Sequence, residues 1–244
     1  MHFHTSFDQV LENRSYVKLF QKYASRIHKF VWLTEKTKEE AIDFGFQNSI
    51  SIYNPLSFEE SRQADMRNKR MVFIGRLSEE KRVDLAIRYF EEVIRDNGLE
   101  DWTFEIYGSG ELEKEIVEGI QNKQQVIYKG TTDSVNEVLL KSSLLVLTSR
   151  FEGMPLVVAE ANECGVPVIV YDFGESSGEV VLDGKTGIIV PQDDEERFKE
   201  VLAQFFKDEE YRQKLCVECK TFAKTFSLKT VGKQWEKLFE EMEQ

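Results

Sequence analysis

From Met71 onward short apolar runs alternate with amphipathic segments, and no other feature of the chain limits its fold as much. Met71–Gly75, Trp102–Tyr107, Gln125–Tyr128, Leu144–Leu147, Val166–Tyr171 and Gly187–Val190 read as strands. Segments near 81–96, 111–121, 133–141, 155–164 and 193–206 read as helices. Leu144-Leu145-Val146-Leu147 is apolar at every position, as a strand covered on both faces must be. The alternation predicts an α/β fold: a mostly parallel, doubly wound sheet with helices on both faces. Such sheets bind ligands at the carboxyl ends of their strands. The glycine turns at Gly75, Gly108 to Gly110 and Gly153 fall at or just past those ends.

Ser149-Arg150-Phe151-Glu152-Gly153-Met154-Pro155 follows the fourth of these strands and leads into the helix Leu156–Ala161. Pro155 suits the first helical position, where no backbone N–H is needed. Glu152 and Gly153 then sit where the free N–H groups of a helix start attract anions. Glu160 lies among Leu156, Val157, Ala159, Ala161 and Cys164, so its burial is costly without a partner. A carboxylate held there accepts well from a pair of hydroxyls. On these residues alone, a capping glutamate and a satisfied core glutamate account for the pattern too.

Glu152-x7-Glu160, preceded by Ser149 and enclosing Gly153-Met154-Pro155, resembles the signature of family 4 retaining glycosyltransferases of the GT-B fold. Phe73-Ile74-Gly75-Arg76-Leu77, then Lys81 and Asp84, resembles that family's first donor-domain strand and phosphate loop. Tyr107-Gly108-Ser109-Gly110-Glu111 resembles its second glycine turn. Gly165-Val166-Pro167-Val168-Ile169 and Asp183-Gly184-Lys185-Thr186-Gly187-Ile188-Ile189-Val190 complete the pattern, in register over roughly residues 50 to 240. The resemblance implies a Rossmann-like donor domain with an incomplete second domain. Its boundaries would be a partial acceptor domain over 1–54, a linker over 55–70, the nucleotide-sugar domain over 71–226, and a C-terminal helix over 227–244 crossing back to the first domain.

The same resemblance assigns roles. Arg76 and Lys81 would bind the diphosphate, Arg with its fork and Lys as a point charge. A surface pair bridging to Glu79, Glu80 or Asp84 is the alternative for these two. Glu160 would accept the ribose hydroxyls and Glu152 would contact the donor sugar. N–H groups of Gly153, Met154 and Leu156 would face the phosphate and sugar, and Gly75, Gly108 and Gly110 would let the backbone approach the nucleotide. The base would lie near Ile127–Lys129. His4, in the stretch His2–Ser6, would be the active-site histidine, with His2 and His28 structural. The reaction implied is transfer from a nucleotide diphosphate sugar, UDP-linked in the first instance, with retention at the anomeric carbon and no metal or other cofactor. A strict Gly-x-Gly-x-x-Gly is absent, which counts against a dinucleotide-binding domain.

Charge separates the ends of the chain. Residues 1–70 carry 11 Lys+Arg against 9 Asp+Glu, and residues 71–244 carry 21 against 35, for a total of −12. Phosphate backbones need a basic face, so nucleic acid is not the expected ligand. The mildly basic start leaves room for peripheral membrane contact, although Arg62, Arg67, Lys69 and Arg70 read as a solvated linker face. No apolar run approaches the ~18 residues of a bilayer span, and no signal peptide is visible at Met1. Three cysteines, an odd number, suggest a reducing cytosol. The expected location is therefore cytoplasmic, with the inner face of the membrane as a place of action. Cys216-x-x-Cys219 has no second pair to form a metal site. Asp193-Asp194 reads as a cap for the helix near Glu195.

Residues 1–70 predict a helix over Leu19–Ala24, a strand over Lys29–Thr34 and a helix over Lys36–Gly45. Ile50–Pro55 resembles the last acceptor-domain strand and the Asn-Pro turn between domains. Residues 207–242 predict two helices, with Trp235, Leu238 and Phe239 on one apolar face. On this reading the chain begins inside the first domain. The acceptor, whether glycan, lipid-linked or protein, would need the remainder of that domain or a partner chain that completes it. A truncated, non-catalytic or partner-dependent nucleotide-sugar-binding module is the competing function, and a sugar-nucleotide epimerase is a third.

Overall fold

The central strands Leu144–Leu147 and Val168–Tyr171 are buried at every position, as strands covered on both faces must be. The computed structural model describes residues 17–18, 22–23, 26–174 and 176–243. From residue 26 onward the first elements form a small unit of β1 (Phe30–Trp32), α1 (Glu35–Asp43) and β2 (Ser49–Ser51), the two strands pairing in parallel. Thr34 caps α1 by accepting the Thr37 N–H at 3.2 Å. His2, His4 and most of Leu19–Ala24 lie outside the described residues.

Residues 52–69 carry no helix or strand. They run along the larger lobe, where Leu56, Ala64 and Met66 are buried in its core. The basic cluster is neutralised side chain by side chain: Arg62 by Glu60 and Glu137, Arg67 by Asp65, Lys69 by Asp101 and Arg70 by Glu105.

The larger lobe alternates β3 (Arg70–Ile74), α2 (Val83–Asn97), β4 (Thr103–Tyr107), α3 (Glu113–Gly119), β5 (Val126–Gly130), α4 (Val135–Leu140), β6 (Leu144–Leu147), α5 (Leu156–Glu163), β7 (Val168–Tyr171), α6 (Ser177–Val180) and β8 (Gly187–Val190). All six strands are parallel, in the order β5-β4-β3-β6-β7-β8. The chain therefore winds outward from β3 to one edge, returns to pair β6 with β3, and winds to the other edge. The crevice at that reversal, above the carboxyl ends of β3 and β6, is where such a sheet admits a ligand.

Helices cover both faces. α7 (Glu195–Lys207) packs beside α2, and Trp102 stacks on Phe206 with ring centroids 4.1 Å apart. The predicted pair of helices over 207–242 is divided further, into α8 (Glu209–Val217), α9 (Cys219–Ala223), a 3-10 turn (Lys224–Phe226) and α10 (Leu228–Met242). Asp208 and Ser227 cap α8 and α10 with their side chains. Between them the break at Glu218 turns Cys219 and Ala223 inward onto α5.

α10 lies on the small unit, where Val231 and Leu238 join Val31 and Ile52 in a separate apolar cluster with Trp235 at its edge. Trp235, Leu238 and Phe239 share one face of α10, as read from the sequence: the Phe239 ring centroid lies 5.8 Å from that of Trp235, and these three line one hollow with Val31. Phe239 is 55% exposed. Glu179, on α6, makes a second tie between the lobes. Its carboxylate accepts the N–H groups of Glu35 (2.8 Å) and Lys36 (2.9 Å) at the start of α1, and the Tyr53 hydroxyl (2.8 Å). Among the described residues no helix is long and apolar enough to cross a membrane.

Candidate functional site

Two loops meet at the sheet's reversal point. The first leaves β3 at Gly75 and reaches α2 at Val83; the second leaves β6 at Thr148 and reaches α5 at Leu156. The first is shaped by the glycine turn after β4. The Gly75 N–H donates to Tyr107 O (3.0 Å), and the Leu77 N–H donates to Ser109 O (2.9 Å). Gly108 holds φ +141°, and a Cβ there would fall 1.8 Å from Gly75 O; a Cβ on Gly110 would fall 2.3 Å from Leu77 O. These glycines let two backbone segments touch. That gives Gly108 and Gly110 a structural reason, beside the approach to a nucleotide expected from the sequence.

The second loop is sewn to the first. The Thr148 hydroxyl donates to Arg82 O (2.7 Å), and the Arg150 N–H donates to Glu80 O (2.9 Å). Lys81 Nζ donates to Glu152 Oε2 at 2.5 Å, and the Ser149 hydroxyl donates to Glu152 Oε1 at 2.7 Å. Glu152 is thereby neither a helix cap nor a free surface acid. Pro155 occupies the cap position itself, one residue before the helix rather than first within it. Lys81 bridges to Glu152 and not to Glu79, Glu80 or Asp84. Arg76 is exposed and has no ion pair among the described residues. The N–H groups of Gly153, Met154 and Leu156 have no acceptor among the described residues and lie at the positive end of α5.

These loops enclose a cleft of about 540 Å³. Of the residues singled out from the sequence it is lined by Gly75, Arg76, Lys81, Glu152, Gly153, Pro155 and Leu156. Gly108, Gly110, Met154 and Glu160 do not line it; Gly108 and Gly110 lie behind the first loop, and Met154 is buried. Glu160 sits one helical turn beyond Leu156, only 8% exposed, and accepts the Ser57 hydroxyl. Burial pushes its carboxyl above the ordinary range and the Ser57 bond offsets part of that rise. Its expected need for a partner is met by a residue whose distance in sequence gave no signal. Ile127–Lys129 lie on β5, an edge strand, away from the lining of the cleft.

The arrangement suits an anion. Among the described residues it offers one guanidinium without an ion pair, one ammonium shared with a carboxylate, and N–H groups without acceptors at a helix start. A larger depression of about 1,060 Å³, between α2 and α3, shares Glu80 and Phe151 with the cleft. It is lined by both signs of charge, and of its cations Arg82, Arg88 and Lys123 are already paired with Asp193, Glu195 and Glu91. Asp194 caps α7 by accepting the Arg197 N–H (3.1 Å), while Asp193 pairs with Arg82 (2.6 Å). Cys164, Cys216 and Cys219 are all buried and free. Sequence reasoning passed over Arg82, Gln192 and Ser57, since nothing in local spacing marks residues that act through tertiary contacts.

An exopolysaccharide phosphotransferase of Streptomyces coelicolor is 28% identical over 226 residues, 90% of this chain and 24% of its own. A poly(glycerol-phosphate) alpha-glucosyltransferase of Bacillus subtilis is 30% identical over 170 residues, 68% of this chain and 25% of its own. The chain therefore spans about a quarter of either relative. Among solved structures, a mutant of S. aureus TarM in complex with Fondaparinux, alpha-GlcNAc-glycerol and UDP superposes with a TM-score of 0.84 at 21% identity. That match covers 98% of this chain and 50% of TarM, so it bears on the fold, which is that of the GT-B glycosyltransferases. The match to the glycosyl transferases group 1 family runs over residues 57–220, from the segment before β3 to α9, and the chain belongs to that family.

Proposed function

We propose that the chain binds the diphosphate of a nucleotide sugar in the cleft between β3 and β6 and serves a retaining, family 4 type of glycosyl transfer. The observation that carries this reading is the convergence of Arg76, Lys81 and the free N–H groups before α5 on one 540 Å³ cleft at the sheet's reversal point. Arg76 and Lys81 hold the two phosphates, and hydrogen bonds to charged groups of this kind contribute about 1.5–3 kcal/mol each. Glu152 has lone pairs to spare after Lys81 and Ser149, so it can also accept hydroxyls of the donor sugar. Glu160 accepts the ribose hydroxyls once they displace the Ser57 contact. His4 contacts the donor sugar.

In this mechanism the bond between the anomeric carbon and the phosphate oxygen breaks while the acceptor oxygen attacks on the same face. The acceptor proton passes to the leaving phosphate oxygen. Catalysis is then stabilisation of the departing diphosphate plus positioning, and needs no metal. The acceptor is a glycan, lipid-linked or protein hydroxyl, met in the cytoplasm or at the inner membrane face. The UDP of the TarM complex makes UDP the first nucleotide to try, and the glucosyltransferase relative makes a hexose the first sugar.

Titration calorimetry with UDP, GDP and ADP in EDTA tests the reading. Metal-free binding of one nucleotide, abolished by Glu160→Ala, is the expected result; no binding of any of the three sinks it. A second reading, a partner-dependent binding module, draws on the two-stranded sheet β1-β2. Light scattering separates the two, since a monomer that turns over donor and acceptor unaided contradicts a need for a partner.

A further inference from the structure

Arg82 and Asp193 are the two non-glycine residues with positive φ among the described residues, at +46° and +60°. They lie in different loops, Arg82 before α2 and Asp193 before α7, and they are joined to each other: Arg82 Nη1 donates to Asp193 Oδ1 at 2.6 Å. Left-handed backbone at a side-chain-bearing residue persists only where its surroundings hold it, and such strain gathers at functional sites.

What the strained pair holds is the loop that carries Glu152. The buried Arg82 guanidinium lies over the Tyr171 ring, 5.1 Å from its centroid, and spends its fork on three acceptors. Nε donates to Thr148 O (2.8 Å), Nη1 to Asp193, and Nη2 to Gln192 Oε1 (2.5 Å). Gln192 Nε2 in turn donates to Ser149 O (2.9 Å) and Arg150 O (3.2 Å). The carbonyls of Thr148, Ser149 and Arg150, three in succession, are thus fixed by one side-chain network. The left-handed turn at Arg82 also presents its own carbonyl to the Thr148 hydroxyl at 2.7 Å.

We propose that Arg82, with Gln192 and Asp193, is a positioning group for the donor cleft, setting the turn 148–153 so that Glu152 meets Lys81. The proposal rests on the donor-site reading for its effect on ligand binding, but not for its effect on the turn. Arg82 touches no ligand; it acts through the backbone of Thr148 and, by way of Gln192, through that of Ser149 and Arg150.

The test combines hydrogen exchange across residues 148–154 with UDP titration, on wild type, Arg82→Gly, Arg82→Lys, Gln192→Ala and, as a control, Arg88→Gln. Arg82→Gly removes both the strain and the brace, so melting temperature stays near wild type while exchange at 148–154 quickens and UDP binds about tenfold more weakly. Arg82→Lys keeps charge and strain but not the fork, and tracks Arg82→Gly; a role in charge alone would be rescued by lysine. Gln192→Ala gives the same local loosening, and decides the matter if Arg82→Gly fails to fold. Arg88→Gln, which breaks a surface pair with Glu195, changes neither readout. Wild-type exchange at 148–154 in folded Arg82→Gly, or in Gln192→Ala, overturns the proposal. Absence of UDP binding in the wild type overturns the donor-site reading, and the exchange comparison still decides the role of Arg82.

Discussion

Glu152 accepts from Lys81 and Ser149 at once, so the ammonium that would meet a phosphate is already half-neutralised, and Arg76 is the cleft's cation without an ion pair among the described residues. Arg76→Ala therefore weakens UDP binding by at least about tenfold without lowering melting temperature, the loss of one charged hydrogen-bonding group; calorimetry and a thermal scan check both halves. Glu160 gives a prediction in pH. Burial raises its carboxyl in the folded protein above the ordinary 4.5, so above that value the unfolded chain binds fewer protons at this site than the folded one. Stability from this group falls as pH rises from 4.5 through the raised value. Glu160→Gln keeps an acceptor for Ser57 and removes that slope, which melting temperatures of both proteins between about pH 4 and pH 8 would show.

At the scale of elements, the glycine turn after β4 is the tightest join. Gly108→Ala places a methyl group 1.8 Å from Gly75 O at a φ that alanine avoids. The expected loss is about 4 kcal/mol or more, in the tail for single substitutions, read by urea denaturation. Much at this scale was legible beforehand. Leu144–Leu147 and Gly187–Val190 are strands over those residues, because runs buried on both faces need no alternation to be read. α2, α5 and α7 begin and end within two or three residues of the boundaries read from their periodicity. The division of 207–242 was not legible, since it depends on Cys219 and Ala223 packing against α5. The cleft was legible as Gly75, Arg76, Lys81 and the turn Glu152 to Leu156, whose residue types carry charge or backbone freedom. The roles of Ser57, Arg82 and Gln192 were not, because each is defined by a partner some 40 to 110 positions away.

Taken as a whole, the molecule is two lobes joined at α10 and at Glu179. Leu238→Ala opens a cavity in the small cluster with Val31, Ile52 and Val231, at a cost of about 2–5 kcal/mol in that lobe's stability. Hydrogen exchange should then quicken in β1, α1 and β2 and stay unchanged in β3 to β8. Glu179→Ala strips the start of α1 and the Tyr53 hydroxyl of their acceptor, and loosens the same lobe without touching its apolar contacts. Limited proteolysis within residues 52–69 reports both variants.

The pairing of Met71 with Leu144 has a consequence for how the chain reaches its native state. The two walls of the cleft are brought together only when a loop of some seventy residues closes, after β4 and β5 have been laid down on the other side of β3. Local helices can form early, but this contact is of high sequence separation and its loop entropy falls due before any reward. Nucleotide binding should therefore return late in refolding, together with the last tertiary signal. A ligand that recognises only the closed cleft would slow unfolding rather than speed folding.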